Sequence, residues 1–124
     1  MPRFDPAQAS SGPLVRGFAG GRFVVDGQRL AALLLTPQRA TVWDAPAIAD
    51  LTIGHLEPLL SLDPVPEFIL LGSGPTLIHP PRAVARALDE RRIGLEVMDS
   101  RAAARTWAVL RAEERWIAAA LMPL

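Results

Sequence analysis

Gly72-Ser73-Gly74-Pro75-Thr76 is the segment whose residue types and spacing come nearest to a binding site. It follows the apolar run Phe68-Ile69-Leu70-Leu71 and precedes a stretch of helical pattern opening at Pro80-Pro81. Loops of this kind hold anions in α/β proteins, on backbone N–H groups and on the positive end of the next helix. A dinucleotide fingerprint needs a third glycine where Leu77 stands, and a phosphate-binding Walker loop needs a lysine, which the chain lacks. The competing reading is conformational, the two glycines letting the chain leave a sheet tightly. Asp99 and Ser100 stand at a second strand-to-helix junction and would close the same crevice. Arg101 and Arg105 fall four apart on one helix face, as do Arg82 and Arg86. Either pair suits a carboxylate or a phosphate, against the plainer reading of a solvated face.

Nucleophilic and metal chemistry find less support. Ser73, His79 and Asp99 are the residue types of a catalytic triad, yet Leu71 occupies the place where a nucleophile elbow requires glycine. His79 beside two prolines reads as a loop residue, and Asp99 as a helix cap. The two histidines, His55 and His79, lie in different segments without a carboxylate at ligand spacing, and there is no cysteine. The acidic pairs Asp89-Glu90 and Glu113-Glu114 fall at helix ends and read as solvated. No catalytic residue, metal site or cofactor is therefore assigned.

The elements that must position these residues divide the chain. Residues 1–13, with three prolines and Ser10-Ser11-Gly12, read as a loose arm, and residues 14–124 as one α/β domain. A bend at Phe18–Gly21 leads to a strand at Arg22–Val25. Asp26-Gly27 marks a type I′ hairpin, and a strand from Arg29 to Thr36 should be buried on both faces. Thr41–Trp43 reads as a short strand, and Thr52 caps a short helix carrying Ile53, Leu56, Leu59 and Leu60. Phe68–Leu71, Leu95–Met98 and Trp116–Met122 are the later strands. Helices run from Pro80-Pro81 to Arg92, with Gly94 at the exit, and from Asp99 or Ser100 to about Ala112, with Ala103, Trp107 and Leu110 inward. Helices alternating with apolar strands, after an N-terminal antiparallel layer, predict a three-layer β+α/β/α domain with a mixed central sheet.

Bulk properties narrow the function. The 124 residues carry 13 basic and 13 acidic side chains, so the field that non-specific nucleic-acid binding needs is missing. All the basic residues are arginine, which reads as composition bias. No apolar run approaches the roughly 20 residues of a membrane span, and the start has no secretory or mitochondrial pattern, so a cytoplasmic location is expected. Pairing through an exposed edge of the N-terminal β layer would give a homodimer.

The second half also resembles a known family. Gly72-Ser73-Gly74, then Glu96, Met98, Ser100, Ala102, Ala103, Thr106 and Leu110, then Glu113, Arg115 and Ala119-Ala120-Leu121, follow the pattern of the domain of unknown function 498 family. That family includes the mitochondrial complex I assembly factor 3 and small bacterial proteins. Gly17, Gly21, Phe23, Leu33-Leu34-Leu35 with Pro37, and Trp43 agree more loosely. The chain departs from the pattern at Trp107-Ala108, where the family has Tyr-Asn, at Trp116, where it has a second Arg, and at Ala31-Ala32. The resemblance implies the same three-layer fold and no established catalytic residue or cofactor. It further implies a non-enzymatic binding module whose partners are proteins, such as respiratory-complex subunits or assembly factors at an inner membrane. The alternative is a small-molecule or anion binder, or an enzyme, built on the Gly72–Thr76 loop.

Overall fold

Two glycine-bearing turns start the fold. Gly20 and Gly21 (φ +60° and +72°), and Asp26 and Gly27 (φ +50° and +78°), all take the left-handed conformation, as a type I′ turn requires at both central positions. These turns join β1 (Gly17–Ala19), β2 (Arg22–Val25) and β3 (Gln28–Leu30) into a small antiparallel sheet, with Ala19 opposite Arg22 and Val25 opposite Gln28. The computed structural model of the chain describes residues 12–124. The arm expected at residues 1–13 thus lies outside the described residues except for Gly12 and Pro13.

The segment expected to be one strand from Arg29 to Thr36 is two. Gln28 and Arg29 are exposed, whereas Leu33, Leu34 and Leu35 are buried on both faces. Ala31-Ala32 marks the crossing from the small sheet to β4 (Leu33–Leu35) of the main one. The bend expected at Phe18–Gly21 is the β1–β2 hairpin, in which the Phe18 ring meets Phe23 edge-on at 6.0 Å.

Four further strands complete the main sheet: β5 (Ala40–Val42), β6 (Phe68–Gly72), β7 (Gly94–Met98) and β8 (Ala118–Leu121). Their order is β5-β4-β8-β6-β7. β4 runs antiparallel to β5 and β8, while β6 runs parallel to β7 and β8. The sheet is therefore mixed, as the text of the sequence indicates.

Between these strands lie α1 (Glu57–Leu60), α2 (Arg82–Glu90) and α3 (Ser100–Ala112). The helix expected after Thr52 is a 3-10 turn, Ile53–Leu56, followed by the single turn of α1. Pro58 explains the break, since it has no N–H to return to the carbonyl four residues back. Thr52 still caps, its N–H donating to His55 Nδ1 at 2.9 Å. α2 ends at Glu90 because Arg92 takes the left-handed position (φ +59°) and Ile93 N–H returns to the Leu88 carbonyl. Gly94, expected as the helix exit, serves another purpose, for a Cβ there would lie 2.9 Å from Phe68 Cβ. The last strand starts at Ala118 instead of Trp116, whose carbonyl accepts from Glu67 N–H and whose indole donates to the Pro64 carbonyl.

Strand alternation sorts the core onto the two faces of the main sheet. Ile69, Leu71, Ala118 and Ala120 meet Leu56, Leu59, Val84 and Leu88 of the helical side. Leu33, Leu35, Leu70 and Ala119 meet Phe23 of the small sheet and Ala103 and Trp107 of α3. The result is a β+α layer, a mixed sheet and an α layer. Trp107 is fully buried, and its indole N–H donates to the Pro13 carbonyl at 2.9 Å, the partner a buried Trp needs.

Candidate functional site

The Gly72–Thr76 loop leaves the C-terminal end of β6 beside the start of α3. Gly72 is where the two approach most closely: a Cβ there would lie 2.8 Å from Ser100 Oγ and 2.9 Å from Leu121 Cδ2. Gly74 (φ +111°) turns the chain. Ser73 Oγ donates to the Thr76 carbonyl at 2.7 Å, lies 3.3 Å from the Met98 carbonyl and accepts from Ile78 N–H at 3.0 Å. Ser100 Oγ donates to the Met122 carbonyl at 2.7 Å and accepts from Gly74 N–H at 2.8 Å. Ser100 N–H donates in turn to the Gly74 carbonyl at 2.8 Å. Asp99 Oδ1 accepts from Ala102 N–H at 2.9 Å and caps α3. Gly72, Ser73, Gly74, Thr76, Asp99 and Ser100 are thus brought together by a mesh of their own bonds. The N–H groups of Gly74, Ile78 and Ser100 all have acceptors within the chain.

Arg101 and Arg105 lie on the exposed side of α3, facing the small sheet. The Arg101 guanidinium stands 5.4 Å from the centre of the Phe18 ring, at cation–π distance. Arg105 borders a shallow hollow of about 260 Å³ shared with Val15, Phe18 and Ala108. Val109, 58% exposed, continues the stripe one turn further on. His79 sits elsewhere, with Arg82 and Val97 in a hollow between α2 and β7. Among the described residues no hydrogen bond joins it to Ser73 or Asp99. Nor does any group of three or more His, Cys, Asp or Glu among them stand close enough to hold a metal ion.

The sequence did not reveal the hollow of about 420 Å³ beside the loop, lined by Ala45, Pro46, Ile48, Ile78, Met122 and Pro123. Its only written trace is an Ala/Pro-rich stretch and the apolar pair Leu77-Ile78, which is 55% and 46% exposed. Also unread was the ion pair of Arg115 with Glu67 at 2.9 Å. The Arg115 guanidinium, by hydrogen bond and then by charge, holds the Glu67 carboxyl below its ordinary range, and the carboxylate raises the arginine in return.

The fold and this loop define a class: a three-layer α/β domain on a mixed sheet, with a strand-end loop laced shut by two buried serines. Residues 15–122 match the family described as "Protein of unknown function (DUF498/DUF598)", and the chain belongs to that family. It is similar to "NADH dehydrogenase [ubiquinone] 1 alpha subcomplex assembly factor 3" of Danio rerio, 27% identical over 94% of this chain and 67% of the relative. The protein of the same name from Bos taurus is 30% identical over 88% of this chain and 60% of its own length. Among solved structures, a Bordetella parapertussis protein aligns at TM-score 0.82 and 30% identity, covering 91% of this chain and 97% of that one. A Xanthomonas campestris protein aligns at 0.77 and 33%, covering 98% and 92%. A Bordetella pertussis protein described as a Mth938-like domain aligns at 0.79 and 26%, covering 98% and 90%.

Proposed function

We propose that the chain is a non-enzymatic protein-binding module that serves, from the cytoplasm, the assembly of a respiratory or other inner-membrane complex. The observation that carries this reading is the match of most of the chain to two proteins named as complex I assembly factors. The chain spans 67% and 60% of their lengths, so their activity is carried over as part of the proposal. Site chemistry supports it, because the loop's serine hydroxyl and the N–H groups of Ser73 and Gly74 are bonded to the chain itself. No helix among the described residues is long and apolar enough to cross a membrane. The contact face proposed here is the stripe of Arg101, Arg105 and Val109 on α3, two cations and one apolar side chain on a rigid support. Arginine is among the residues that dominate interface energetics. Trp107, fully buried, takes no part.

Affinity capture of the tagged protein at native expression tests this directly. Respiratory-complex subunits or membrane-insertion factors should be recovered, and an Arg101→Glu/Arg105→Glu variant that melts at the same temperature should lose them. Recovery of the protein alone, together with unchanged native-gel complexes in a deletion strain, would overturn the reading.

The hollow beside the loop favours a second reading, a small ligand seated against Ile78 and Met122 with its polar end at the Ser73–Pro75 turn. Carboxylated or phosphorylated metabolites should then raise the melting temperature, and Gly74→Val should abolish the effect. A flat response across such a panel removes this reading.

A further inference from the structure

We propose that the seam between the small sheet and α3 takes an acidic protein segment, with carboxylates flanking one apolar side chain; this rests on the reading that the chain binds a protein. The equal numbers of acids and arginines conceal their separation in space. Residues 14–30 and α3 carry Arg16, Arg22, Arg29, Arg101, Arg105 and Arg111 against a single acid, Asp26. All six arginines but Arg111 are exposed. Residues 40–66 carry Asp44, Asp50, Glu57 and Asp63 and no arginine. The first group belongs to the side of the main sheet where Phe23 and Trp107 pack, the second to the side of Leu56 and Leu59. Asp99 is engaged as the cap of α3, Glu113 and Glu114 follow its last turn, and Glu96 lies on the edge strand β7. None of these four borders the seam. The molecule is thus neutral as a whole and positive on one layer, and such a field steers a partner of opposite charge to that layer.

Two periodicities build the seam. Arg16 N–H donates to the Val24 carbonyl at 2.8 Å, so the ladder of β1 and β2 continues back to it. Arg16 and Phe18 then share one face of the extended chain. Arg101 and Arg105, four apart, share one face of α3, about 6 Å from each other along its axis. Arg101 stands over the Phe18 ring, while Arg16 and Arg105 border the hollow of about 260 Å³. Gly17, Ala104 and Ala108 line the rest of it beside Val15 and Phe18, which leaves room for one apolar side chain between two cations. Arg16, Arg101 and Arg105 are in no ion pair among the described residues.

The same observations favour a protein over the other anionic surfaces. Entering a bilayer uses projecting Trp, Phe or Leu side chains, and of the large apolar residues this chain exposes only Val109 lies on the stripe of Arg101 and Arg105. Single-stranded nucleic acids stack their bases on open aromatic rings, whereas Phe18 has Arg101 over its ring and meets Phe23 edge-on. A recessed hollow between guanidinium groups suits a side chain, and the arginine fork pairs with a carboxylate through two parallel bonds.

The chain contains no lysine, so Arg105→Lys in the full chain, carried on a lysine-free tag, places its one side-chain amine at the seam. Carbodiimide treatment of the captured complex joins that amine to a carboxylate in contact with it, and peptide mass spectrometry reads the junction. The junction should fall on an Asp or Glu of the partner with an apolar residue beside it. Arg86→Lys, exposed on α2 at the opposite layer, should give none. Capture by wild type should weaken about tenfold between about 0.1 and about 0.5 M salt. Ala108→Leu, which fills the hollow and leaves the arginines in place, should weaken it by a similar factor at an unchanged melting temperature. Capture that survives the salt and gives no junction from Arg105→Lys overturns this proposal while the protein-binding reading stands. Capture of nothing by wild type removes that reading and this proposal with it. A junction to Asp44, Asp50 or Asp63 of a second copy gives the seam to this chain's own acidic layer and overturns the proposal. So does binding to phosphatidylglycerol vesicles or to a labelled oligouridylate that Arg101→Glu/Arg105→Glu abolishes.

Discussion

Ser100 shows how one hydroxyl can hold three segments. Its oxygen joins the Gly74 N–H to the Met122 carbonyl, and its own N–H returns to Gly74. Ser100→Ala leaves a buried donor and a buried acceptor without partners, so a loss of about 2–4 kcal/mol in urea unfolding is expected. A loss no larger than that of an exposed serine such as Ser61→Ala would mean that water replaces both bonds. The ion pair of Glu67 and Arg115 makes a smaller, conditional contribution, since both side chains are nearly half exposed. The carboxyl is held low in the fold, so its contribution is present at neutral pH and lost as pH falls through its folded value. The melting temperature of wild type should exceed that of Glu67→Gln at pH 7, and the gap should narrow as pH falls below the ordinary carboxylate range. A gap that does not change with pH would assign the difference to something besides the charge. The Gly-Ser-Gly of the loop is legible in sequence, and its bonding is not. Its three residues bond to Met98, Ser100 and Met122, which lie more than twenty positions away. No local spacing encodes such partners.

At the scale of elements, the α/β half was legible because its strands are continuous apolar runs bounded by helical periods. Phe68–Gly72 and α3 fall within a residue of where the pattern places them. The N-terminal half read less well. β1, Gly-Phe-Ala, is three residues long, too short for alternation to register, and the run from Arg29 to Thr36 hides a change of sheet inside the unbroken apolar stretch from Leu30 to Leu35. The Asp26-Gly27 hairpin turn was legible, since glycine after aspartate has few other meanings, whereas Gly20-Gly21 read only as a bend. Gly27→Ala should cost about 1–2 kcal/mol, because a Cβ at φ +78° is strained although nothing stands within 4 Å of it. Phe23→Ala, which empties a fully buried site shared by the small sheet and α3, should cost about 3–5 kcal/mol. Denaturant titration of the two variants checks the order. If Gly27→Ala proved the worse, the small sheet would owe its place to turn geometry more than to packing.

Over the whole molecule, β8 is the central strand of the main sheet and, like its neighbours β4 and β6, enters both cores. Ala118 and Ala120 face the helical side, Ala119 the side of Trp107, and the strand bonds to β4 on one flank and β6 on the other. Small side chains there let both outer layers lie close to the sheet, so neither core can loosen without exposing a strand that the other also packs against. The two faces should therefore unfold as one cooperative unit, as single domains of this size usually do. Trp107 lies on one face and Trp43 packs against the other core. With Trp43 and Trp116 replaced by phenylalanine, fluorescence reports Trp107 alone, while far-ultraviolet circular dichroism reports every helix and strand. The urea midpoints and slopes of the two signals should coincide, with a slope of about 1–2 kcal/mol per molar urea. An earlier fluorescence transition would mean that the β+α layer lifts from a sheet that persists beneath it. The α3 face proposed for partners would then be a mobile cover, and the Arg101→Glu/Arg105→Glu variant would have to be compared with wild type well below that transition.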